Sequence, residues 1–222
     1  MAEDVSHKLR LPGTFIVVDG PDGAGKTTLA AAIVSKLREA GHNVVEVREP
    51  GGTRTAEAAR EVVLNPDCQA GDRAELFLYL AARADLVEKV ILPALAESKV
   101  VVSDRFDLST IAYQVHGRGL PESEVRAANR LATGGLEPNI TLILDVPLDV
   151  GKARLERAGK APDRLEGASD EMHRRVGESF KSAAGQGIFH VDATVAQKSV
   201  CEAAWEIIGH MLPLEVKSNG DR

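Results

Sequence analysis

Five short apolar runs divide the chain at irregular intervals. They cover residues 14–19, 43–48, 99–104, 140–146 and 187–192. Most are rich in Val and Ile rather than alternating between apolar and polar positions, as is typical of strands buried on both faces of a parallel sheet. The pattern therefore predicts five β-strands at the centre of an α/β protein.

Between these runs, apolar residues recur with helical spacing. The predicted helices cover residues 26–40, 73–97, 122–132, 149–157, 170–184 and 196–212. Pro93 is expected to kink or restart the second of them. Strands that alternate with helices predict a three-layer α/β fold around a five-stranded parallel sheet. We expect one domain at residues 13–213, between a flexible N-terminal extension (1–12) and a flexible tail (214–222).

Composition adds mainly exclusions. The chain has 222 residues, of which 44% are hydrophobic and 27% are charged, as in an ordinary globular protein. Its net charge of −6 disfavours non-specific nucleic-acid binding, which needs a basic surface. Cys68 and Cys201 form neither a disulfide framework nor a zinc motif. With no signal peptide and no apolar run long enough to span a membrane, a cytoplasmic protein is expected.

The segment GPDGAGKT, residues 20–27, matches the phosphate-binding pattern G-x-x-x-x-G-K-[ST] in full. A predicted strand precedes it and a predicted helix follows it. In such a P-loop, backbone N–H groups surround a phosphate, Lys26 places its charge between the β- and γ-phosphates, and the Thr27 hydroxyl binds Mg²⁺. The residues predicted to bind ATP are Gly20, Pro21, Asp22, Gly23, Ala24, Gly25, Lys26, Thr27 and Thr28. The chain has no NKxD guanine motif, which disfavours a GTPase.

Two further segments suit a second, phosphate-bearing substrate. Arg48 ends the second predicted strand, at the sheet edge where ligands of open α/β folds bind, and an arginine there can clamp a phosphate with two hydrogen bonds. The alternative is a surface arginine paired with Glu49 or solvent. Tyr79 and Arg83 share a helix face and suit a planar base, although a packed Tyr beside a surface Arg is a commoner arrangement. Phe77 is expected in the core.

The third predicted strand ends in Asp104 and Arg105. Asp104 is a candidate to hold Mg²⁺ through water, and Arg105 to reach the transferred phosphate. Thr110, Tyr113 and Gln114 follow as polar contacts near the same edge.

A basic segment at residues 154–166 is a candidate lid over ATP. It contains Arg154, Arg157, Lys160 and Arg164, interrupted by Gly159 and Pro162. Because the variable P-loop positions contain no cation, some arginine must neutralise the transition state, and this segment can supply one. The alternative is an ordinary solvated helix face.

Taken together, DGPDGAGKTT, REPGGT, YLAAR at a helix end, DRFDLSTIAYQ followed by GRG, and LERAGKAPDRLE resemble the bacterial thymidylate kinases that carry arginines in the lid. The resemblance covers about residues 14–212. It implies a P-loop kinase fold with a short lid, a homodimer, and direct Mg²⁺-dependent phosphoryl transfer from ATP to dTMP without a covalent intermediate.

The resemblance also implies roles for individual residues. Lys26, Arg48, Arg105, Arg157 and Arg164 would be catalytic, and Thr27 and Asp104 would hold the metal. Asp22, Arg48, Tyr79, Arg83, Arg105, Thr110, Tyr113 and Gln114 would bind dTMP. Among these, Asp22 would hold the 3′-hydroxyl, Arg83 would bond O4 of thymine, and Tyr113 would crowd the 2′ position. Tyr79 would stack on the base where Phe is usual, so its hydroxyl needs a partner or water.

Three alternative functions are open at this point. Another nucleoside monophosphate kinase could use the same scaffold, although Tyr79 and Arg83 disfavour it. A P-loop switch or assembly ATPase would hydrolyse ATP without an acceptor and would leave Arg48 unexplained. A nucleotide-binding subunit without catalysis fits poorly with the intact Lys26 and Asp104.

Overall fold

The computed structural model describes residues 11–159 and 162–212. Most of the predicted N-terminal extension, the predicted tail and Lys160 in the candidate lid lie outside these residues.

A five-stranded sheet, parallel throughout, confirms the predicted fold class. Its strands are β1 (Thr14–Asp19), β2 (Val44–Arg48), β3 (Val100–Asp104), β4 (Ile140–Asp145) and β5 (Ile188–Asp192). They lie in the order β2-β3-β1-β4-β5. Because the strands are parallel, their charged last residues lie at the same edge of the sheet. The central strand is β1, which the P-loop follows.

Helices cover both faces of the sheet. They are α1 (Lys26–Glu39), α2 (Arg54–Leu64), α3 (Asp72–Leu86), α4 (Leu92–Ala96), α5 (Asp107–Thr110), α6 (Glu122–Thr133), α7 (Leu148–Ala158), α8 (Asp170–Ser182) and α9 (Gln197–Met211). Two π-helical segments, Val87–Ile91 and Ile111–Gly117, continue α3 and α5. The sequence pattern did not predict α2 or the helical stretch from Asp107 to Gly117, and both carry candidate site residues.

The predicted helix over residues 73–97 is divided. A π-helical segment joins α3 to α4, and the Leu92 N–H donates to the carbonyl of Val87, five residues back. Pro93 has no N–H to donate to the preceding turn of the helix, and its ring crowds that turn. The wider π-turn before Pro93 leaves room for the ring where the α-helical hydrogen bond is missing. The interruption thus begins six residues before the proline.

The alternation of side chains along β1 separates two apolar cores. Ile16 and Val18 point into a cluster shared with α1 and α9, whereas Phe15 and Val17 point into a cluster with α3 and α4. This burial on both faces explains the continuous apolar runs of the strands. Phe77 belongs to neither core, because its side chain on α3 is 62% exposed, so the expectation for it was wrong.

None of the helices in the described ranges is long and apolar enough to cross a membrane.

Candidate active site

The P-loop wraps the gap between β1 and α1 with little room for side chains. Gly23 and Gly25 have φ values of 75° and 97°, which glycine adopts without strain. A Cβ on Gly23 would lie 2.1 Å from the carbonyl oxygen of Gly151 in α7. The loop is therefore held in shape by direct backbone packing against the first turns of α7.

Lys26 starts α1 and is 7% exposed. Its Nζ donates a hydrogen bond of 2.6 Å to the carbonyl of Pro21 and lies 3.9 Å from Asp22. Burial, with a contribution from the nearby Arg105, lowers the pKa of Lys26 to about 8. Asp22, Asp104 and Asp19 offset only part of this burial, so a buried cation here is suited to an incoming anion.

Thr27 and Asp104 form the predicted metal-binding pair. The Thr27 hydroxyl donates to Oδ2 of Asp104 at 2.5 Å, across 77 residues of sequence. The other carboxylate oxygen of Asp104, Oδ1, is buried and has no hydrogen-bond partner in the described part of the chain. An orphaned carboxylate oxygen beside a hydroxyl is a donor set that fits Mg²⁺, which typically takes few protein oxygens and completes its shell with water and phosphate.

Asp22 lies at the junction of the P-loop with the helical stretch after β3. The Arg105 guanidinium forms a close ion pair with it, and the Tyr113 hydroxyl donates to its Oδ2 at 2.7 Å. Burial opposes ionisation, but Arg105 and Lys26 outweigh it and lower the pKa of Asp22. Arg105 also lies with its guanidinium carbon 5.3 Å from the Tyr113 ring centroid, so these three side chains form one unit.

Asp19, the last residue of β1, orients this unit from beneath. It is fully buried and accepts hydrogen bonds from the backbone N–H and hydroxyl of Ser109, at 3.1 and 2.7 Å. Ser109 in turn accepts from Arg105 at 3.2 Å. Asp19 and Ser109 were not among the residues predicted from the sequence. The signal available was a carboxylate at the end of the central strand.

Arg48 is half-exposed and forms a bidentate ion pair with Glu57 of α2, at 3.1 and 3.2 Å. Its partner is therefore Glu57 and not the adjacent Glu49. Arg60, one turn further along α2, donates to the carbonyl of Pro50 at 2.8 Å. Burial and the nearby Arg48 lower the pKa of Arg60. Two arginines thus flank the loop after β2, and the second was missed because α2 was missed.

The structure buries Arg83, so the alternative of a surface arginine was wrong, while the predicted contact of Arg83 with a base stays a prediction. Its side chain is 2% exposed, and all five of its N–H donors are in use. The acceptors are Glu49 Oε2 (2.8 and 2.6 Å), Thr110 Oγ1 (2.7 Å), Asn129 Oδ1 (2.7 Å) and the Phe106 carbonyl (2.9 Å). A direct bond from Arg83 to a base would require one of these bonds to be exchanged. In this structure Arg83 links β2, α3, α5 and α6.

Tyr79 lies one turn before Arg83, partly buried against the cluster that contains Tyr113 and Phe180. Burial, reinforced by the Glu75 charge, raises the pKa of its hydroxyl. Within the described ranges no residue hydrogen-bonds this hydroxyl. The oxygen that tyrosine has and phenylalanine lacks is therefore without a hydrogen-bond partner among the described residues.

The two lid arginines that were predicted to be catalytic differ in position. Arg164 is 13% exposed and bonds Glu75 at 2.6 Å and the carbonyl of Val63 at 2.9 Å, so it is docked on α2 and α3. Arg157, near the end of α7, is exposed and pairs with no residue in the described part of the chain. Arg154 donates to the carbonyl of Ala193 at 2.7 Å and reaches that of Gly23 at 3.5 Å. The predicted lid is thus the last turns of α7 followed by a segment docked through Arg164.

A cavity of about 560 Å³ opens beside Asp22 and Tyr113, between α7 and α8. Its walls are largely apolar, with contributions from Leu148, Leu155, Val176 and Phe180. The junction formed by Asp22 therefore has the P-loop on one side and a cavity on the other.

Fold and site together define a P-loop phosphotransferase of the nucleoside monophosphate kinase type. A buried P-loop lysine, a hydroxyl–carboxylate pair and two arginines surround the same strand edge. The thymidylate kinase family model matches residues 18–204. The chain belongs to the thymidylate kinase family.

Individual relatives agree with this assignment. A thymidylate kinase of Synechococcus sp. (strain JA-2-3B'a(2-13)) is 46% identical over 203 residues, covering 90% of this chain and 96% of the relative. A thymidylate kinase of Deinococcus radiodurans is 42% identical over 199 residues, covering 88% and 96%. The crystal structure of the thymidylate kinase from Ehrlichia chaffeensis superposes with a TM-score of 0.73 at 28% identity, covering 88% of this chain and 98% of that one.

Proposed function

We propose that this protein transfers the γ-phosphoryl group of ATP to dTMP, giving ADP and dTDP, with Mg²⁺ as cofactor. One observation carries the proposal besides the family: Asp22, inside the donor loop, is bonded to Arg105 and Tyr113 of the acceptor side. A switch ATPase needs no such bridge between its P-loop and a second pocket. A carboxylate at this junction suits a hydroxyl of the acceptor, such as the 3′-hydroxyl of dTMP.

The chemistry needs alignment and charge neutralisation more than proton transfer. The attacking oxygen belongs to a monophosphate that is already anionic at neutral pH, so no strong general base is required. Lys26 neutralises the donor phosphates, while Arg48 and Arg105 hold the acceptor phosphate in line. Thr27 and Asp104 would hold Mg²⁺, which neutralises charge on the phosphate oxygens.

Arg48 and Arg105 are each held by an internal carboxylate, Glu57 and Asp22 respectively. These carboxylates keep the guanidinium groups extended toward the strand edge before substrate arrives. A phosphate oxygen then joins or replaces the carboxylate as partner, with bidentate geometry available to each guanidinium.

The base would lie on Tyr79, with Thr110 and Gln114 at its edge and Tyr113 near the sugar. Arg83 orients Thr110 through a 2.7 Å bond, so its contribution to base recognition is positioning, whatever contact it makes with O4. Of the lid arginines, Arg157 is the one free to move over the phosphates, since Arg164 is docked on Glu75.

A homodimer is also part of the proposal. Val62 on α2, Phe77 on α3 and Leu131 on α6 are 44%, 62% and 86% exposed. These helices pack on one another, and exposed large apolar side chains on adjacent helices are typical of a subunit interface. Sedimentation of a Phe77→Asp, Leu131→Asp variant should give a monomer where the parent protein gives a dimer.

A coupled ADP-release assay with ATP tests the function. The acceptor panel is dTMP, dUMP, dCMP, dGMP and AMP, with a reaction lacking any acceptor. Fast ADP release only with dTMP supports the proposal. Release without acceptor supports the switch ATPase, preference for another monophosphate supports a different kinase, and indifference to dTMP overturns the proposal.

A further inference from the structure

Glu75, in the first turn of α3, has no part in the reaction described above, yet it is completely buried at the site. Its carboxylate accepts four hydrogen bonds. Oε1 accepts from Gln114 Nε2 at 2.8 Å and from Arg118 Nε at 3.3 Å. Oε2 accepts from Arg118 Nη2 at 2.9 Å and from Arg164 Nη2 at 2.6 Å.

These neighbours keep Glu75 ionised. Burial alone would favour the protonated acid, but hydrogen bonds from Arg118 and Gln114, together with the arginine charges, lower the pKa of Glu75. An ionised carboxylate can accept hydrogen bonds but cannot donate one. The Gln114 amide must therefore turn its NH₂ group, and not its carbonyl oxygen, toward Glu75.

Fixing the NH₂ group of Gln114 also fixes the carbonyl oxygen of the same amide. With its NH₂ group turned to Glu75, Gln114 has its carbonyl oxygen directed away from that carboxylate, and no residue in the described ranges donates a hydrogen bond to that oxygen. Glu75 and Tyr79 are i and i+4 on α3, so Gln114 lies within one helical turn of the proposed stacking ring.

A carbonyl oxygen at this position discriminates between pyrimidines. Thymine carries an N–H at N3, whereas the N3 of cytosine is an acceptor and would face the carbonyl without a proton between them. A free glutamine could turn its amide to suit either base, but a glutamine fixed by an acceptor cannot.

We propose that Glu75 is a positioning residue for base selection: it fixes the Gln114 amide so that only a hydrogen-bond acceptor faces the base. This inference rests on the proposed function. It also assigns a role to Arg118, whose two bonds to Glu75 maintain the charge on which the selection depends.

The decisive variant is Glu75→Gln. A carboxamide can donate, so the Gln114 amide becomes able to turn and offer an N–H to the base. The kcat/KM ratio for dTMP over dCMP should fall by about tenfold to a hundredfold, the scale of one hydrogen bond to a buried group. Undiminished selectivity in a folded Glu75→Gln protein contradicts the inference.

Two further variants separate positioning from general loosening. Glu75→Asp keeps an acceptor-only group and should retain the selectivity ratio even where kcat/KM falls. Arg164→Met removes one ion-pair partner of Glu75 but leaves the Gln114 contact, so it should lower turnover of dTMP and dCMP by the same factor. A change of ratio in either variant, equal to that in Glu75→Gln, would mean that any disturbance of the cluster relaxes selection.

A measurement on the wild-type protein covers the case in which Glu75→Gln does not fold. The side-chain NH₂ protons of Gln114 should exchange slowly with solvent both without and with dTMP, because their partner is Glu75 in both states. Fast exchange without dTMP that becomes slow when dTMP is added would mean that the NH₂ group contacts the base, and the inference would be wrong.

The proposed function and the role of Glu75 can be disproved separately. A wild-type protein with no dTMP-dependent ADP release removes the proposed function and, with it, this inference. A wild-type protein that makes dTDP, combined with an unchanged ratio in Glu75→Gln, removes the role of Glu75 alone.

Discussion

The two ends of the proposed acceptor site are built on opposite principles. At the base end, Arg83 and Glu75 are 2% and 0% exposed, and every donor or acceptor they offer is used within the protein. At the proposed phosphate end, Arg48 is half-exposed and held by the carboxylate of Glu57 and the backbone carbonyl of Pro50. Lys26 there has a backbone carbonyl as its nearest partner.

This difference follows from what each end is proposed to bind. A neutral base offers only weak, directional hydrogen bonds, so the groups that read it must be fixed beforehand. A phosphate offers enough charge to displace an internal partner, so its cations need only be kept in reach. The comparison predicts that mutations at the base end mainly change stability or selectivity, whereas mutations at the phosphate end mainly change turnover.

Replacing Arg48 should have the largest effect. Arg48→Ala is expected to lower kcat/KM for dTMP by on the order of two to four decades, since it removes a transition-state charge contact. Its free energy of unfolding should change by about 1 kcal/mol or less, because an exposed ion pair contributes little. Steady-state kinetics and urea denaturation measure the two quantities. The matched control is Arg54→Ala, because Arg54 is an exposed arginine at the start of α2, next to the same loop. An Arg48→Ala enzyme that keeps its full kcat/KM would remove Arg48 from the mechanism.

Replacing Arg83 tests the opposite end. Arg83→Met leaves the buried Glu49 carboxylate without its partner and should lower the free energy of unfolding by about 3–5 kcal/mol. Adding Glu49→Met should restore part of that loss, because the uncompensated charge is then gone. Arg126→Met, at an exposed arginine paired with Glu122, serves as the control with an effect near zero. A stable Arg83→Met protein that merely loses dTMP affinity would reverse the comparison.

The pKa of Lys26 gives a pH dependence to the phosphate end. Its pKa is about 8 in the folded protein against 10.5 for a free lysine, so above pH 8 the nucleotide-free protein increasingly holds it neutral. ATP binding needs the charged form, and its affinity should fall by up to about tenfold per pH unit from pH 8 upward. For stability the sign is opposite: between pH 8 and 10.5 the unfolded chain binds the extra proton, so this group makes stability rise with pH.

Titration of ATP or ADP by calorimetry from pH 7 to 9.5 measures this effect. Lys26→Arg keeps its charge, so whatever binding it retains should not vary over that range. A wild-type affinity that is flat through pH 9.5 would show that Lys26 is charged throughout.

Replacing Thr53 should have the smallest effect, and it tests whether the residues that support the loop after β2 matter apart from those proposed to contact the phosphate. Thr53 caps α2 by accepting from the Ala56 N–H at 3.1 Å, and its hydroxyl donates to Asp85 at 2.5 Å. Thr53→Ala should lower the free energy of unfolding by about 1 kcal/mol. Thermal denaturation measures this, with kcat/KM expected within a few-fold of wild type. A loss of turnover as large as that of Arg48→Ala would mean that the cap itself holds the phosphate end in place.

The sequence predicted best what neighbouring residues dictate. The five strands were found because burial on both faces of a parallel sheet leaves an unbroken apolar run, and the phosphate loop because glycines at fixed spacing determine its backbone. The helix α2 was not predicted, although Thr53 is a good N-cap. Glu57 and Arg60, which lie on α2, were therefore not predicted either. Those residues matter only through partners elsewhere in the chain.

The sequence by itself thus determined the five strands, the P-loop with Lys26 and Thr27, and the motifs that carry the family resemblance, because each of these is a run of contiguous residues. Only the tertiary structure decided which carboxylate holds which cation. Asp22 meets Tyr113 across 91 residues, and Arg83 meets Glu49 across 34. Such partners are selected by strand order and helix packing, and no local pattern distinguishes an arginine free for a substrate, such as Arg48, from one already committed, such as Arg83.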